Sequence, residues 1–286
     1  MAIDYASLEI GELYGPEVLK EAQVSSAANS LAKPVGPLGI AGLRFSKLSG
    51  GQAYGIGEGG KKVASGVAES VVVKPNKIHR TQVLTEEAIA GSPQLWTAVK
   101  ETAPSDVAKA FDSYVLGLTA LPDDWAGFRS FSELTNEVEV PAGADAAVAL
   151  DDAVALVKDG AANGLLITSA MLAYLRRQRI GATGARVFDI TADQLEGINY
   201  KVVNSSERVA VAGNFQDAAW SAIDEFTSPV TGEAFRVKDS GEITDSLGVV
   251  HNLTDSNKYA LIYEVLGGFN FDDDFFTRLV PAEAGE

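Results

Sequence analysis

The spacing of apolar positions changes along this chain, and each change marks a part. Residues 1–42 keep no sustained period, because Gly11, Gly15, Pro16, Pro34, Gly36, Pro37, Gly39 and Gly42 interrupt them. Glycine and proline at that density break regular elements. The segment predicts one short helix over residues 17–28. The rest reads either as a frayed tail or as an arm that orders against a neighbour. From residue 43 to 84 the pattern turns β-like. Seven of the 28 glycines fall between Gly50 and Gly66, with Val63, Val67, Val71, Val72, Val73, Ile78, Val83 and Leu84 among and after them. Strands flanking a glycine-rich turn read as a long hairpin. Its apolar content is too low to bury a face, and a lone two-stranded hairpin is marginal in water. It needs a surface to lie on, in its own domain or on another subunit.

Helical spacing comes next. Thr85 is placed to cap a short helix with Glu86 and Glu87 in its first turn, where the dipole favours acids. Ser92-Pro93 reads as the start of a longer helix, along which Leu95, Val99, Ala103, Val107, Phe111 and Val115 repeat. Pro104 inside this run predicts a kink or a split, and Gly117 a stop. Residues 122–144 connect, with Pro122, Gly127, Pro141 and Gly143. Helix and strand then alternate. A helix is expected over 151–162, with Val154, Leu156 and Val157 apolar, followed by a buried strand Leu165-Leu166-Ile167. Thr168 or Ser169 caps the next helix, which ends in Arg176, Arg177 and Arg179 and is closed by Gly181. Cations suit a helix C-terminus, so this basic cluster has a local explanation. Ile198, Tyr200 and Val202 alternate as a strand, as do Val209 and Val211. Strong strands over 259–266 and 269–271 close the pattern, joined by Gly267-Gly268.

Composition adds exclusions. With 286 residues, 46% apolar and 22% charged, the chain is an ordinary folded protein of one large domain or two modest ones. A net charge of −16 argues against a general nucleic-acid or membrane-surface binder. It permits a protein that encloses DNA without gripping it. The absence of cysteine removes disulfides, thiolate chemistry and cysteine-based zinc sites. The start, Met1-Ala2-Ile3-Asp4-Tyr5, lacks the basic-then-apolar order of a signal peptide. No uncharged apolar stretch nears the ~18 residues of a membrane span.

Candidate chemistry is thin. Gly55-Ile56-Gly57-Glu58-Gly59-Gly60 fits the Gly-x-Gly-x-x-Gly pattern, and the same stretch through Lys62 nearly fits a phosphate loop. Both motifs need a helix after them to hold the phosphate. A β-rich run follows instead, Lys62 replaces the magnesium-binding hydroxyl, and Glu58 would sit in the anion cradle. A flexible loop tip is the better reading. Only His79 and His251 are available as histidine ligands, far apart in sequence. Asp272-Asp273-Asp274 lacks the spacing of a calcium loop, and reads as a solvated turn or an intersubunit partner for arginine. No Gly-x-Ser-x-Gly elbow is present. No catalytic, cofactor or metal residue is assigned. An arm, a long hairpin and a kinked helix between a β-rich part and an α/β part together favour an assembly protein.

The order of these segments resembles the major capsid proteins of tailed bacteriophages, the Hong Kong 97 type. The first match is Ala53-Tyr54-Gly55-Ile56-Gly57-Glu58-Gly59, then Val71-Val72-Val73-Lys74-Pro75-Asn76-Lys77 and Val83-Leu84-Thr85-Glu86-Glu87, which looks like the family's extended E-loop. Residues 93–116, ending Phe111-Asp112-Ser113-Tyr114-Val115-Leu116-Gly117, look like its spine helix. Asn163-Gly164-Leu165-Leu166-Ile167-Thr168-Ser169 with Met171, Leu172 and Leu175 looks like the axial-domain strand and helix. Leu195-Glu196-Gly197-Ile198-Asn199-Tyr200-Lys201-Val202-Val203, Val211-Ala212-Gly213-Asn214-Phe215 and Asn257-Lys258-Tyr259-Ala260-Leu261-Ile262-Tyr263-Glu264 complete the series.

The resemblance covers roughly residues 43–282 and implies an α+β capsid fold. Its parts would be an N-terminal arm over 1–42, an E-loop hairpin over 43–84, a peripheral domain with the spine helix over 85–144 and 255–286, and an axial domain over 145–254. It implies a non-enzymatic shell subunit forming hexamers and pentamers around double-stranded DNA, in a virion assembled in the bacterial host cytoplasm. The implied partners are further copies of itself, a separate scaffolding protein, a portal and, optionally, a decoration protein, with no membrane and no cofactor. Intersubunit contacts would fall on Tyr54, Gly57, Glu58, Lys61 and Lys62 of the E-loop and on Arg176, Arg177 and Arg179 of the axial helix end. Asn214 departs from the acid common at its position. Lys61 and Lys62 lie where some relatives carry a crosslinking lysine, but no matching asparagine and acid are identified, so crosslinking is not expected. An encapsulin-like nanocompartment enclosing cargo proteins is the alternative within the same fold.

Overall fold

The computed structural model describes residues 26–35, 43–49, 67–74, 76–125, 127–142, 145–160, 162–180, 184–191, 193–222, 235–244, 248–254 and 257–282. In chain order the helices are α1 (Ala27–Leu31), α2 (Glu86–Gly91), α3 (Pro93–Leu116), α4 (Asp145–Leu156) and α5 (Ser169–Arg177). The strands are β1 (Lys33–Pro34), β2 (Leu43–Ser49), β3 (Val67–Val73), β4 (Asn76–Thr85), β5 (Glu137–Val140), β6 (Gly164–Thr168), β7 (Arg179–Ile180), β8 (Ala185–Arg186), β9 (Gln194–Leu195), β10 (Ile198–Val203), β11 (Ala210–Gly213), β12 (Ala218–Ala222), β13 (Phe235–Lys238), β14 (Glu242–Thr244), β15 (Val250–Asn252), β16 (Lys258–Phe271) and β17 (Phe276–Pro281). The mixed α+β class expected from the sequence holds.

β16 is the axis of the first sheet. β4 runs antiparallel along it, from Thr85 opposite Lys258 to Asn76 opposite Gly267. β13 pairs with Ala260 to Tyr263, so these residues are paired on both edges. β12 takes over from Gly267 to Phe271, and β1 lies parallel to β12. The second sheet has the order β5-β17-β11-β6-β10-β9. Its central strand β6 reads Gly-Leu-Leu-Ile-Thr and is buried throughout. Successive side chains of a strand point to opposite faces. Leu165 and Ile167 therefore pack with α4 and α5, through Ala146, Ala149, Leu150, Ala153, Met171, Leu172 and Leu175. Leu166 points the other way, into the core formed with α1 and α3.

The two sheets share one ribbon. β11 pairs antiparallel with β17, ending at Gly213 opposite Phe276. β12 pairs antiparallel with β16, starting at Ala218 opposite Phe271. The same two stretches of chain thus form a ladder in each sheet. Between the ladders each passes through one 3-10 turn, Phe215–Asp217 and Asp273–Phe275. The turns are capped alike: the side-chain oxygens of Asn214 and Asp272 accept from the N–H groups of Gln216 and Asp274, at 3.3 and 3.4 Å. The Asn214 N–H donates to the Phe275 carbonyl at 3.0 Å and ties the two corners together.

An aromatic cluster fills the inside of this corner. Phe131, fully buried, has its ring centroid 4.4 Å from that of Phe271, 5.0 Å from Phe276, 5.5 Å from Phe269 and 6.2 Å from Phe215. Phe111 of α3 meets Phe269 edge-on at 6.2 Å. One residue of the connecting stretch therefore touches aromatic rings from both sheets.

Several local expectations hold. Thr85 caps α2 through Ala88 N–H at 3.2 Å. Gly117 ends α3 with a φ of 73°, in the left-handed region that glycine enters without strain. Other expectations are corrected. α3 runs through Pro104 as one helix, so the proline does not split it. The proline costs one backbone bond, but Val99, Ala103, Val107, Phe111 and Val115 hold the helix to the core on either side. Gly267-Gly268 is not a turn; β16 passes straight through it. A Cβ on Gly268 would strike the Val73 side chain and the Lys74 carbonyl, so that glycine marks a close backbone approach. The helix expected over 151–162 starts at Asp145, and its buried face is Ala146, Ala149, Leu150 and Ala153 rather than Val154 and Leu156. α5 stops at Arg177 instead of running to Gly181. Of the hairpin, β2 and β3 pair antiparallel as expected, whereas the stretch around Ile78 and Leu84 joins β16. β5 and β17 lie in the second sheet, and β12 and β13 in the first.

Gly268→Ala is expected to lower stability by about 1–3 kcal/mol through this overpacking. Urea unfolding should show a lower midpoint with an unchanged slope. An unchanged midpoint would mean that β3 does not press on β16.

Candidate assembly surfaces

The basic end of α5 is built from its start. The Thr168 hydroxyl accepts from the Met171 N–H at 3.2 Å and donates to the Glu207 carbonyl at 2.6 Å. That cap sets the helix so that Met171, Leu172 and Leu175 are buried. Arg176 and Arg177 then fall on the exposed side. The Arg179 guanidinium donates to the Arg176 and Gln178 carbonyls at 2.8 and 3.0 Å, satisfying groups that a helix end leaves open. Arg186 on β8 pairs across from Arg179. Among the described residues, none of these four arginines has a carboxylate partner.

α4 offers the opposite character. Its outer side carries Asp145, Asp151 and Asp152, all exposed. Val148 and Leu156, at 56% and 50% exposure, lie beside them.

A third feature lay outside the sequence reading. Asp112 of α3 is buried. One of its carboxylate oxygens accepts from the Ser26 hydroxyl (2.6 Å) and the Ala28 N–H (3.0 Å), the other from the Ala27 N–H (2.9 Å). Ser26 in turn caps α1 by accepting from the Asn29 N–H at 3.1 Å. Asp112 thus closes the start of α1 from 84 or more residues away. Burial raises its carboxyl above the ordinary 3.8, against the lowering effect of Ser26, Ala28 and Ala27. The folded chain therefore holds this proton to higher pH than the unfolded chain does. The stability contributed is full below the ordinary value and is lost as pH rises through the folded one. The available signal was a carboxylate beside Phe111, within the apolar stripe that includes Val107 and Val115.

The predicted E-loop residues Tyr54, Gly57, Glu58, Lys61 and Lys62 lie outside the described residues. The root of that hairpin is described. Val73 is fully buried, and the Asn270 side-chain amide donates to the Val72 carbonyl at 3.2 Å. The aspartate run is engaged within the chain: Asp273 pairs with Arg129 at 2.8 Å and Asp274 with Lys158 at 3.4 Å. The Arg129 guanidinium also lies 4.6 Å from the centroid of the Phe271 ring. His79 and His251 do come together, lining one groove between β4 and the β14–β15 hairpin with Thr81, Thr85, Ile243 and Lys258. The Lys258 ammonium donates to His251 Nδ1 at 3.3 Å. Among the described residues, no group of three or more His, Asp and Glu could hold a metal ion. No described helix is long and apolar enough to cross a membrane.

Asp112→Ala strands three donors. A loss of about 2–4 kcal/mol is expected in chemical unfolding, and the gap to the unmodified chain should narrow as pH rises. Equal stability at every pH would show that the α1 contact carries no weight.

No family model matches this chain, and no curated protein matches it. Solved structures do. A structure titled Gordonia phage Cozz is 20% identical over 90% of this chain and 86% of that one, with a TM-score of 0.67. Mycobacterium phage Adephagia aligns over 100% of both chains at 16% identity and a TM-score of 0.64. The capsid of an empty GTA particle aligns over 90% of each at 15% identity and a TM-score of 0.54. The backbone architecture is shared over nearly the whole length while most side chains differ, and the chain has the Hong Kong 97-type capsid fold.

Proposed function

We propose that this chain is a non-enzymatic capsid subunit that builds an icosahedral phage shell. The observation that carries the reading is the common fold with a GTA capsid over 90% of both chains. In this reading the subunits form hexamers and pentamers and enclose double-stranded DNA without sequence-specific contact. A net charge of −16 suits a wall that DNA lies against but does not bind. Residues 145–254 act as the axial domain around the capsomer centre, and residues 85–144 and 255–286 as the peripheral domain with α3 as its spine. Residues 43–84 act as the E-loop, with Tyr54, Gly57, Glu58, Lys61 and Lys62 on a neighbour, and residues 1–42 as an arm. The partners are copies of the chain, a separate scaffolding protein, a portal and, optionally, a decoration protein, and assembly takes place in the host cytoplasm.

The burial pattern supports this. β3 is anchored to β16 at Val72 and Val73, so the hairpin leaves the body from a fixed root. Ordering a long hairpin costs conformational entropy that many repeated contacts offset on assembly.

Negative-stain electron microscopy with mass photometry on the full chain tests the reading. Closed shells, rings of five or six, or tubes are expected. A monomer at every concentration, alone and with a candidate scaffolding protein, would overturn it. Deleting residues 50–66 should leave a folded monomer that no longer builds stable shells; normal shells from the deletion would remove the E-loop assignment.

A further inference from the structure

Two surfaces on the same part of the molecule match in chemistry, and among the described residues their exposed charged side chains have no ion-pair partner. The first is the end of α5 with β7 and β8. It presents Arg176, Arg177 and Arg186, all exposed, and beside them Ile180 at 43% exposure. The second is the outer face of α4, with Asp145, Asp151 and Asp152 around Val148 and Leu156. Both helices pack on one face of the second sheet, α4 with β5 and β17 and α5 with β6 and β10. Each surface mixes a charge of one sign with an exposed apolar side chain, and the signs are opposite.

We infer that the arginine end of α5 in one copy seats on the acidic, apolar face of α4 in the next copy. The inference rests on the shell-subunit reading and supplies the surface that the axial arginines meet. The contact uses two different patches on each subunit, so it is heterologous. Such a contact repeats from copy to copy and closes into a ring when the rotation allows. A nucleic acid is the other polyanion an arginine cluster could meet. It is disfavoured here because Ile180 stands among the arginines, and Val148 and Leu156 stand among the acids. A phosphate backbone makes no use of an apolar side chain, whereas a protein surface buries it. The excess of acids over basic residues, 39 against 23, also repels nucleic acid from the molecule as a whole. Exposed ion pairs are individually weak and screened by salt. A contact made of several weak pairs, repeated around a ring, can therefore form and reverse while subunits settle into place.

The test uses the full chain in three forms: Arg176→Glu with Arg177→Glu, Asp151→Arg with Asp152→Arg, and all four changes together. Like charges facing each other oppose association. Each double variant should lower the assembled fraction by at least about tenfold, and the fourfold variant should recover it. All these positions are exposed, and circular dichroism checks that each variant folds. A second measurement avoids charge reversal. The chain has no cysteine, so Asp151→Cys with Arg177→Cys creates one defined pair. Under mild oxidant it should give a ladder of linked chains beyond the dimer, up to a closed ring. Double variants that assemble normally, a fourfold variant that does not recover, or shells without the ladder overturn the inference while leaving the shell reading intact. A change in retained DNA with unaltered assembly assigns the arginines to nucleic acid and also overturns it. An unmodified chain that forms no assembly removes the shell reading itself.

Discussion

The architecture depends on a single bent ribbon. Two antiparallel strands leave one sheet, turn through matched 3-10 corners at 214–217 and 272–275, and continue as neighbours in the other sheet. Each turn is capped by the side chain of the residue before it, and a backbone bond joins one to the other. The Phe131 cluster packs inside the bend, and Arg129 clamps the turn through Asp273 and the Phe271 ring. The remaining elements are placed relative to this ribbon. β4 and α3 build out from β16, and β6 and β10 build out from β11 with α4 and α5 above them.

Periodicity revealed the elements more fully than their neighbours. The long helix α3, its Gly117 stop, the Thr85 cap and the buried strand around Leu166 were all legible, because each depends on side chains close in sequence. The ribbon was not. Asp272-Asp273-Asp274 looks like a charged turn in isolation, and only the strands on either side show that it is a corner between sheets. Gly267-Gly268 looks like punctuation for the same reason. The restriction that requires Gly268 comes from Val73 and Lys74, nearly 200 residues earlier. α4 was displaced because three of the four residues on its core face are alanines, which a count of large apolar residues overlooks.

The same limit applies to the surfaces. The arginines of α5 stood out as a local cluster, and the structure puts them in the open with only Arg179 used at the helix end. On the outer side of α4 the fold sets Val148 and Leu156 among exposed acids. Asp112 could be seen as a misplaced carboxylate, but its partners lie at the start of α1, far away in the chain. Long-range polar contacts of this kind leave one half of their signal at each end and none between.

The bent ribbon also determines how force crosses the molecule. Where two sheets meet only through side chains, a pull on one is resisted by contacts that can peel apart one at a time. Here β16 and β17 are one continuous backbone, as are β11 and β12. A load on either sheet passes to the other along covalent chain, and the rungs of the ladder share it. The two sheets cannot separate without unravelling a strand. In the proposed shell, where neighbours would pull on both parts, that arrangement resists separation of the two sheets.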